Sequence, residues 1–263
     1  MLKIGFIGVG NMGGALAIAA AKTENTEILV TDYNKNKADF VAEKIGAVST
    51  TTEQICKGAK YIFLGVKPQV LPLVLMEISP FLKNRTDEFC LVSMAAGVKI
   101  EKIIADLGLT VPIIRIMPNL PVAVGNGMVL YCATENAKTE ELVSAMQYSG
   151  AWAAIKEEDI DAASAVSGCG PAFVFMYIKA LALGGVQSGL PYDTALTLAT
   201  QTVLGSAQML MQSDKTPDEL ITAVCSPGGS TIEGVKSLND DNFDEIIAKA
   251  IDKSFKRTKE LGK

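Results

Sequence analysis

The sequence predicts an α/β fold in two parts: a doubly wound parallel sheet followed by an all-helical domain. Three observations carry that expectation. Short apolar runs alternate with helix-compatible stretches through the first half of the chain. The first run ends in Gly8-Val9-Gly10-Asn11-Met12-Gly13, a glycine pattern suited to a strand–turn–helix junction. From Glu158 onward no convincing strand remains, only long helical patterns. The boundary is placed there, dividing the chain into 1–158 and 159–263.

Lys3-Ile4-Gly5-Phe6-Ile7-Gly8 is a short apolar run of the kind that forms a buried parallel strand. Residues 11–22 are rich in Ala, Leu and Met and read as a helix. Glu27-Ile28-Leu29-Val30-Thr31-Asp32 is the second strand and residues 35–44 the second helix. Further strands are predicted over 61–66, 89–94, 111–117 and 128–133, and the alternation changes after 152–155. Helices are predicted between them over 70–78, 100–107 and 139–149.

In the second half, helices are predicted over 172–188, 192–212 and 242–261. The middle one opens after Pro191, as helix starts often do. Small residues such as Ala180, Gly184, Gly185, Ala195 and Ala199 permit close helix packing. These helices are too apolar to be covered by one short partner layer, so this half is predicted to form an obligate dimer.

Hydrophobic residues make up 49% of the 263-residue chain and charged ones 20%, enough for a substantial core. A net charge of -5 argues against nucleic acid or an anionic membrane as partner. The five cysteines contain no C-x-x-C pair and there is no histidine, so neither a metal site nor a disulfide framework is expected. Met1-Leu2-Lys3 runs straight into a strand, and apolar stretches such as 172–183 are too short and interrupted to span a bilayer. The expected setting is cytoplasmic, with no membrane partner.

The glycine motif is weak alone, but here it closes a strand, opens a helix and precedes a second strand ending in Asp32. That context makes the first domain a Rossmann-type dinucleotide site. Gly8 allows the tight turn, Gly10 the approach of a pyrophosphate, and Gly13 close packing of helix on strand. Asp32 is placed to accept from the adenine ribose and so to favour NADH, whereas Lys35 and Lys37 could instead reach a 2′-phosphate of NADPH. Val66-Lys67-Pro68, Ala95-Ala96-Gly97 and Met117-Pro118-Asn119 end later strands at the same sheet edge, where a cofactor would lie.

Ser226-Pro227-Gly228-Gly229-Ser230-Thr231 precedes a helix-compatible run. Free amides at a helix start, with hydroxyls beside them, suit a small anion. Without histidine, any proton transfer must use another group. Ser226 reads equally well as a turn hydroxyl, and Cys169 as a packing thiol.

These segments, together with Ser167-Gly168-Cys169-Gly170-Pro171-Ala172, Gly189-Leu190-Pro191 and Arg257-Thr258-Lys259-Glu260-Leu261, resemble the pyrroline-5-carboxylate reductase family over nearly the whole chain. The resemblance implies reduction of the imine of 1-pyrroline-5-carboxylate to L-proline by NADH or NADPH. It also implies an interlocked homodimer, in some members assembled into decamers. Carried onto this chain, Ile7, Gly8, Val9, Gly10, Asn11 and Met12 would line the pyrophosphate, and Val66, Lys67 and Pro68 the ribose side. Ala95, Ala96 and Gly97 would sit near the nicotinamide. Ser230 and Thr231 would hold the substrate carboxylate through their amides, beside Gly228 and Gly229, with the Thr231 hydroxyl at the ring nitrogen as the catalytic group.

Asp214 lies where some members place a glutamate near the substrate. Leu120 and Cys169 stand where threonine and serine are usual, and Ser230 where threonine or alanine occurs. Asp32-Tyr33 replaces a polar-basic pair frequent in members that favour NADPH. Two other readings stand beside this one. A β-hydroxyacid dehydrogenase would need a lysine soon after Gly168-Cys169-Gly170, and none comes before Lys179. A non-catalytic nucleotide sensor would have no need of the 226–231 anion pocket.

Overall fold

The structure is a computed structural model describing residues 1–261, so the last two positions of the 159–263 segment lie outside the described residues. It contains two compact units. One comprises Met1–Cys169 and the chain's end from Ser254; the other is Gly170–Lys253.

The first unit contains β1 (Leu2–Ile7), α1 (Asn11–Ala20), β2 (Thr26–Thr31), α2 (Lys35–Ile45), β3 (Val48–Ser49), α3 (Thr52–Gly58) and β4 (Tyr61–Leu64). These are followed by α4 (Leu71–Leu82), β5 (Cys90–Ser93), α5 (Ile100–Leu107), β6 (Ile113–Met117), β7 (Gly127–Ala133), α6 (Thr139–Ala145), β8 (Gly150–Ala154) and α7 (Ile160–Ser167). The strands form one sheet in the order β3-β2-β1-β4-β5-β6-β7-β8. Every neighbouring pair is parallel except β6 with β7. The connection between those two holds only the 3-10 turn Leu120–Val124, too little chain for a crossover, so β7 returns antiparallel.

Alternation along the strands fills two cores. Phe6, Tyr61, Phe63, Val92 and Ile114 face α1, α2 and α6. Ile7, Ile62, Leu64, Leu91 and Ile113 face α3, α4 and α5. Both faces are covered, which is why the strands read as continuous apolar runs. Phe6 and Phe63 stack with ring centroids 4.5 Å apart. Several short elements escaped the sequence reading, α7 among them. β3 is a two-residue edge strand, and α3 is a short polar helix started by Thr51, whose hydroxyl accepts from the Gln54 amide at 3.2 Å.

The compact units divide after Cys169 rather than at the 158/159 boundary expected from the sequence. Ile160 of α7 is fully buried against Met117 and Leu130, so the first helix of the all-helical stretch packs on the sheet. The helical run Glu157–Gln187 is also longer than the 172–183 stretch judged too short to span a bilayer. By length and composition alone it could cross one, because α7 is followed almost at once by another helix.

The second unit contains α8 (Gly170–Gln187), α9 (Tyr192–Met211), α10 (Pro217–Val224), α11 (Ser230–Asp240) and the greater part of α12 (Phe243–Leu261). α8 and α9 meet at Ala182, Ala195 and Ala199. A methyl on Gly185 would stand 3.1 Å from the Ala195 Cβ, so glycine permits that approach. Little else in this pair is buried: Phe175, Met176, Leu198, Leu204 and Met211 are all exposed.

Candidate functional site

The turn after β1 is closed by backbone. Gly8 has φ of +94°, and its N–H donates to Thr31 O at 2.8 Å. The Gly8 carbonyl lies between two other glycines: a Cβ on Gly13 or on Gly65 would stand 2.2 Å from it. Only glycine at both positions lets α1 and the end of β4 close on the turn. The sequence placed Gly65 in the strand end at the cofactor edge without a role of its own, since nothing in its local pattern shows what it faces.

Gly10 is the N-cap of α1 and offers no side-chain cap. The Gly14 amide bonds back to Gly10 O at 2.8 Å, leaving the amides of Asn11, Met12 and Gly13 without intrahelical partners. A close-packed glycine turn under an uncapped helix start fits a dinucleotide pyrophosphate. Asp32, just past β2, accepts from the Val9 amide through Oδ2 at 2.9 Å and from the Asn34 amide through Oδ1 at 3.0 Å.

The other predicted cofactor residues cluster at the same edge of the sheet. Val66 and Pro68 are half-buried and Lys67 exposed, and the Lys67 carbonyl accepts from Val70 and Leu71 at the start of α4. Ala95 is buried, Ala96 and Gly97 half-buried, and Gly97 has φ of +76°. Asn119 is more committed than its place in the sequence suggested. Its Nδ2 donates to Ser167 O and its Oδ1 accepts from the Met128 amide, both at 2.9 Å. The side chain ties the end of β6 to β7 and α7 and so holds this turn in place.

In the second unit, Gly228 has φ of +71°, and the Gly229 amide donates to Ser226 O at 3.0 Å. A Cβ on Gly229 would lie 2.5 Å from Ser226 Oγ, so the serine is folded over this turn. Gly229 is the N-cap of α11 and again supplies no side-chain cap. The amides of Ser230, Thr231 and Ile232 therefore begin the helix unpaired. Ser226, Gly228, Ser230 and Thr231 are exposed. Asp214 is exposed in the turn between α9 and α10, with no hydrogen bond to this segment among the described residues.

No cluster of metal-binding side chains is present among the described residues. Burial pushes the Cys56 and Cys90 thiols up to about 12 and Cys132 to about 11, which marks them as packing residues.

The profile of the pyrroline-5-carboxylate reductase dimerisation family matches residues 157–261. That of the coenzyme F420-dependent NADP oxidoreductases matches residues 3–97. The pyrroline-5-carboxylate reductase of Aquifex aeolicus is 36% identical over 99% of this chain and 97% of its own length. The Escherichia coli enzyme of that name is 35% identical over 99% of this chain and 98% of its own. Among solved structures, the pyrroline-5-carboxylate reductase of Coxiella burnetii superimposes with a TM-score of 0.89 at 33% identity, covering 99% of this chain and 98% of that one. A glycine-turn dinucleotide domain, a helical half that matches a dimerisation family, and identity sustained from end to end lead to one conclusion: the chain belongs to the pyrroline-5-carboxylate reductase family.

Proposed function

We propose that this chain reduces 1-pyrroline-5-carboxylate to L-proline with NADH or NADPH. The observation that carries the reading is the uncapped, glycine-shaped start of α11, carried by the same chain as the dinucleotide turn. The first accounts for a carboxylate and the second for a reduced nicotinamide dinucleotide.

Reduction of a cyclic imine needs hydride at carbon and a proton at nitrogen. The bound dinucleotide supplies the hydride. The protonated imine is already electrophilic, so the protein need only orient the ring and keep its nitrogen protonated. In this reading the amides of Ser230 and Thr231 hold the carboxylate, and the N-terminal end of the α11 dipole adds to its attraction. The Thr231 hydroxyl faces the ring nitrogen as hydrogen-bond partner and proton relay. On the cofactor side, residues 7–13 cradle the pyrophosphate, Asp32 takes the ribose, and Ala95, Ala96 and Gly97 leave room for the nicotinamide. The absence of histidine is consistent with a substrate that brings its own charge.

The working assembly we propose is a homodimer formed through the exposed apolar side chains of α8 and α9, with further association into a decamer. A second chain on Phe175, Met176 and Leu198 gives the long apolar run a protein partner rather than a bilayer. Five free cysteines suit a reducing, cytoplasmic setting. The test is product analysis: proline formed in a one-to-one ratio with cofactor oxidised supports the reading. Binding without turnover would return the non-catalytic alternative, and oxidation of a β-hydroxyacid the dehydrogenase one.

A further inference from the structure

We propose that Asp32 makes this chain selective for NADH over NADPH, and that Lys37 serves the pyrophosphate rather than a 2′-phosphate. The inference rests on the reading of the first unit as a dinucleotide site and adds which dinucleotide it takes. Sequence alone left the matter open, because Lys35 and Lys37 both follow Asp32 closely enough to meet a 2′-phosphate.

The structure separates the two lysines. Lys37 reaches back over the glycine turn: a Cβ built on Gly10 would stand 3.8 Å from its Nζ, with no other group within 4 Å apart from the chain neighbours. Gly10 is the uncapped N-terminus of α1, so the ammonium stands where the pyrophosphate lies. That position is common to both cofactors and carries no preference between them. No salt bridge to Lys37 is found among the described residues, which leaves the charge for a ligand.

Asp32 is fixed on the ribose side. Its two oxygens are each held by a backbone amide, Val9 at 2.9 Å and Asn34 at 3.0 Å. A carboxylate pinned at both oxygens cannot swing aside to admit a phosphate, yet each oxygen keeps a lone pair for a ribose hydroxyl. The neighbouring cavity of about 720 Å³ adds to this. Its wall holds Asp32, Glu53 and Glu77 against the single cation Lys35, and Glu53 is paired with Lys57 at 2.6 Å. A dianionic 2′-phosphate would enter a space where carboxylates outnumber cations.

The experiment is equilibrium titration of the folded, full-length protein with NADH and with NADPH, with kcat/KM for each measured in parallel. The unaltered protein is expected to bind NADH at least about tenfold more tightly, which is about one uncompensated charge contact. Asp32→Ser should shift the ratio of affinities toward NADPH by about tenfold or more. Asp32→Asn, which keeps an acceptor for the turn amides, should shift it in the same direction. Lys37→Ala should weaken both cofactors by a similar factor and leave the ratio where it was. Tighter NADPH binding by the unaltered protein, or a Lys37→Ala loss confined to NADPH, would overturn the inference while the dinucleotide reading stood. Binding of neither cofactor would overturn both.

Discussion

The guanidinium of Arg115, fully buried in β6, donates to the Asp161 carboxylate of α7 at 2.7 Å. It also donates to Glu157 at 3.4 Å, and Glu157 accepts from the Ile100 amide at 2.7 Å. Ile100 opens α5, the helix that follows Ala95-Ala96-Gly97, so a cation inside the sheet braces the helix behind that turn. Removing one member of a buried ion network strands the others, at a cost of about 3–5 kcal/mol. Arg115→Ala is expected to lose stability on that scale in urea unfolding. Glu157→Gln should lose less, because that side chain is partly exposed. An Arg115→Ala protein as stable as the unaltered one would show that the network does not hold the sheet edge.

Gly65→Ala places a methyl 2.2 Å from the Gly8 carbonyl, and neither backbone segment can yield without moving the turn. The expected result is a KM raised about tenfold or more for NADH and NADPH alike, since displacement of a positioned site by a fraction of an ångström is costly. Steady-state kinetics with saturating imine would show it. Unchanged KM values would mean that the turn tolerates a wider gap.

Among the cysteines, Cys56 and Cys90 are held up to about 12 by burial. At pH 8 roughly one molecule in ten thousand carries either as thiolate, the reactive form. Alkylation followed by peptide mass spectrometry should leave both unmodified in the folded protein and label them in urea. Raising the pH toward 12 should increase their reactivity. Rapid labelling at pH 8 without denaturant would contradict the packing assigned to them.

The Thr231 hydroxyl stands in the first turn of α11, on the segment proposed to hold the carboxylate. Thr231→Ala should lower kcat by roughly ten- to a hundred-fold, while the backbone amides keep the KM for the imine nearly unchanged. Thr231→Ser, which keeps the hydroxyl, should recover much of the loss. Full turnover in the alanine variant would remove the hydroxyl from proton transfer.

Much of the first unit was legible because its strands are covered on both faces. β4 is apolar throughout and β1, β5 and β6 are mostly so, and the glycines that close β1 have a spacing suited to a strand–turn–helix junction. The elements that escaped were short ones: the two residues of β3, the polar helix α3, and the helices α7 and α10. Other features are tertiary and leave no local trace. Nothing around Asn119 in the sequence shows that its amide spans Met128 and Ser167, or that Arg115 meets carboxylates over 40 residues away. The boundary near Glu158 followed the loss of strands, but α7 packs on the sheet through Ile160, so composition and compactness divide the chain at different places.

The central claim is that a carboxylate-anchored cyclic imine is reduced by a dinucleotide held in the first unit. The measurement that tests it most directly is the initial rate of cofactor oxidation with 1-pyrroline-5-carboxylate, set beside 1-pyrroline, which lacks the carboxylate. Turnover is expected with the first and a kcat/KM at least about a hundredfold lower with the second, since an anion held by paired amides contributes several kcal/mol. No oxidation of either NADH or NADPH in the presence of 1-pyrroline-5-carboxylate, or equal kcat/KM for the two rings, would contradict it.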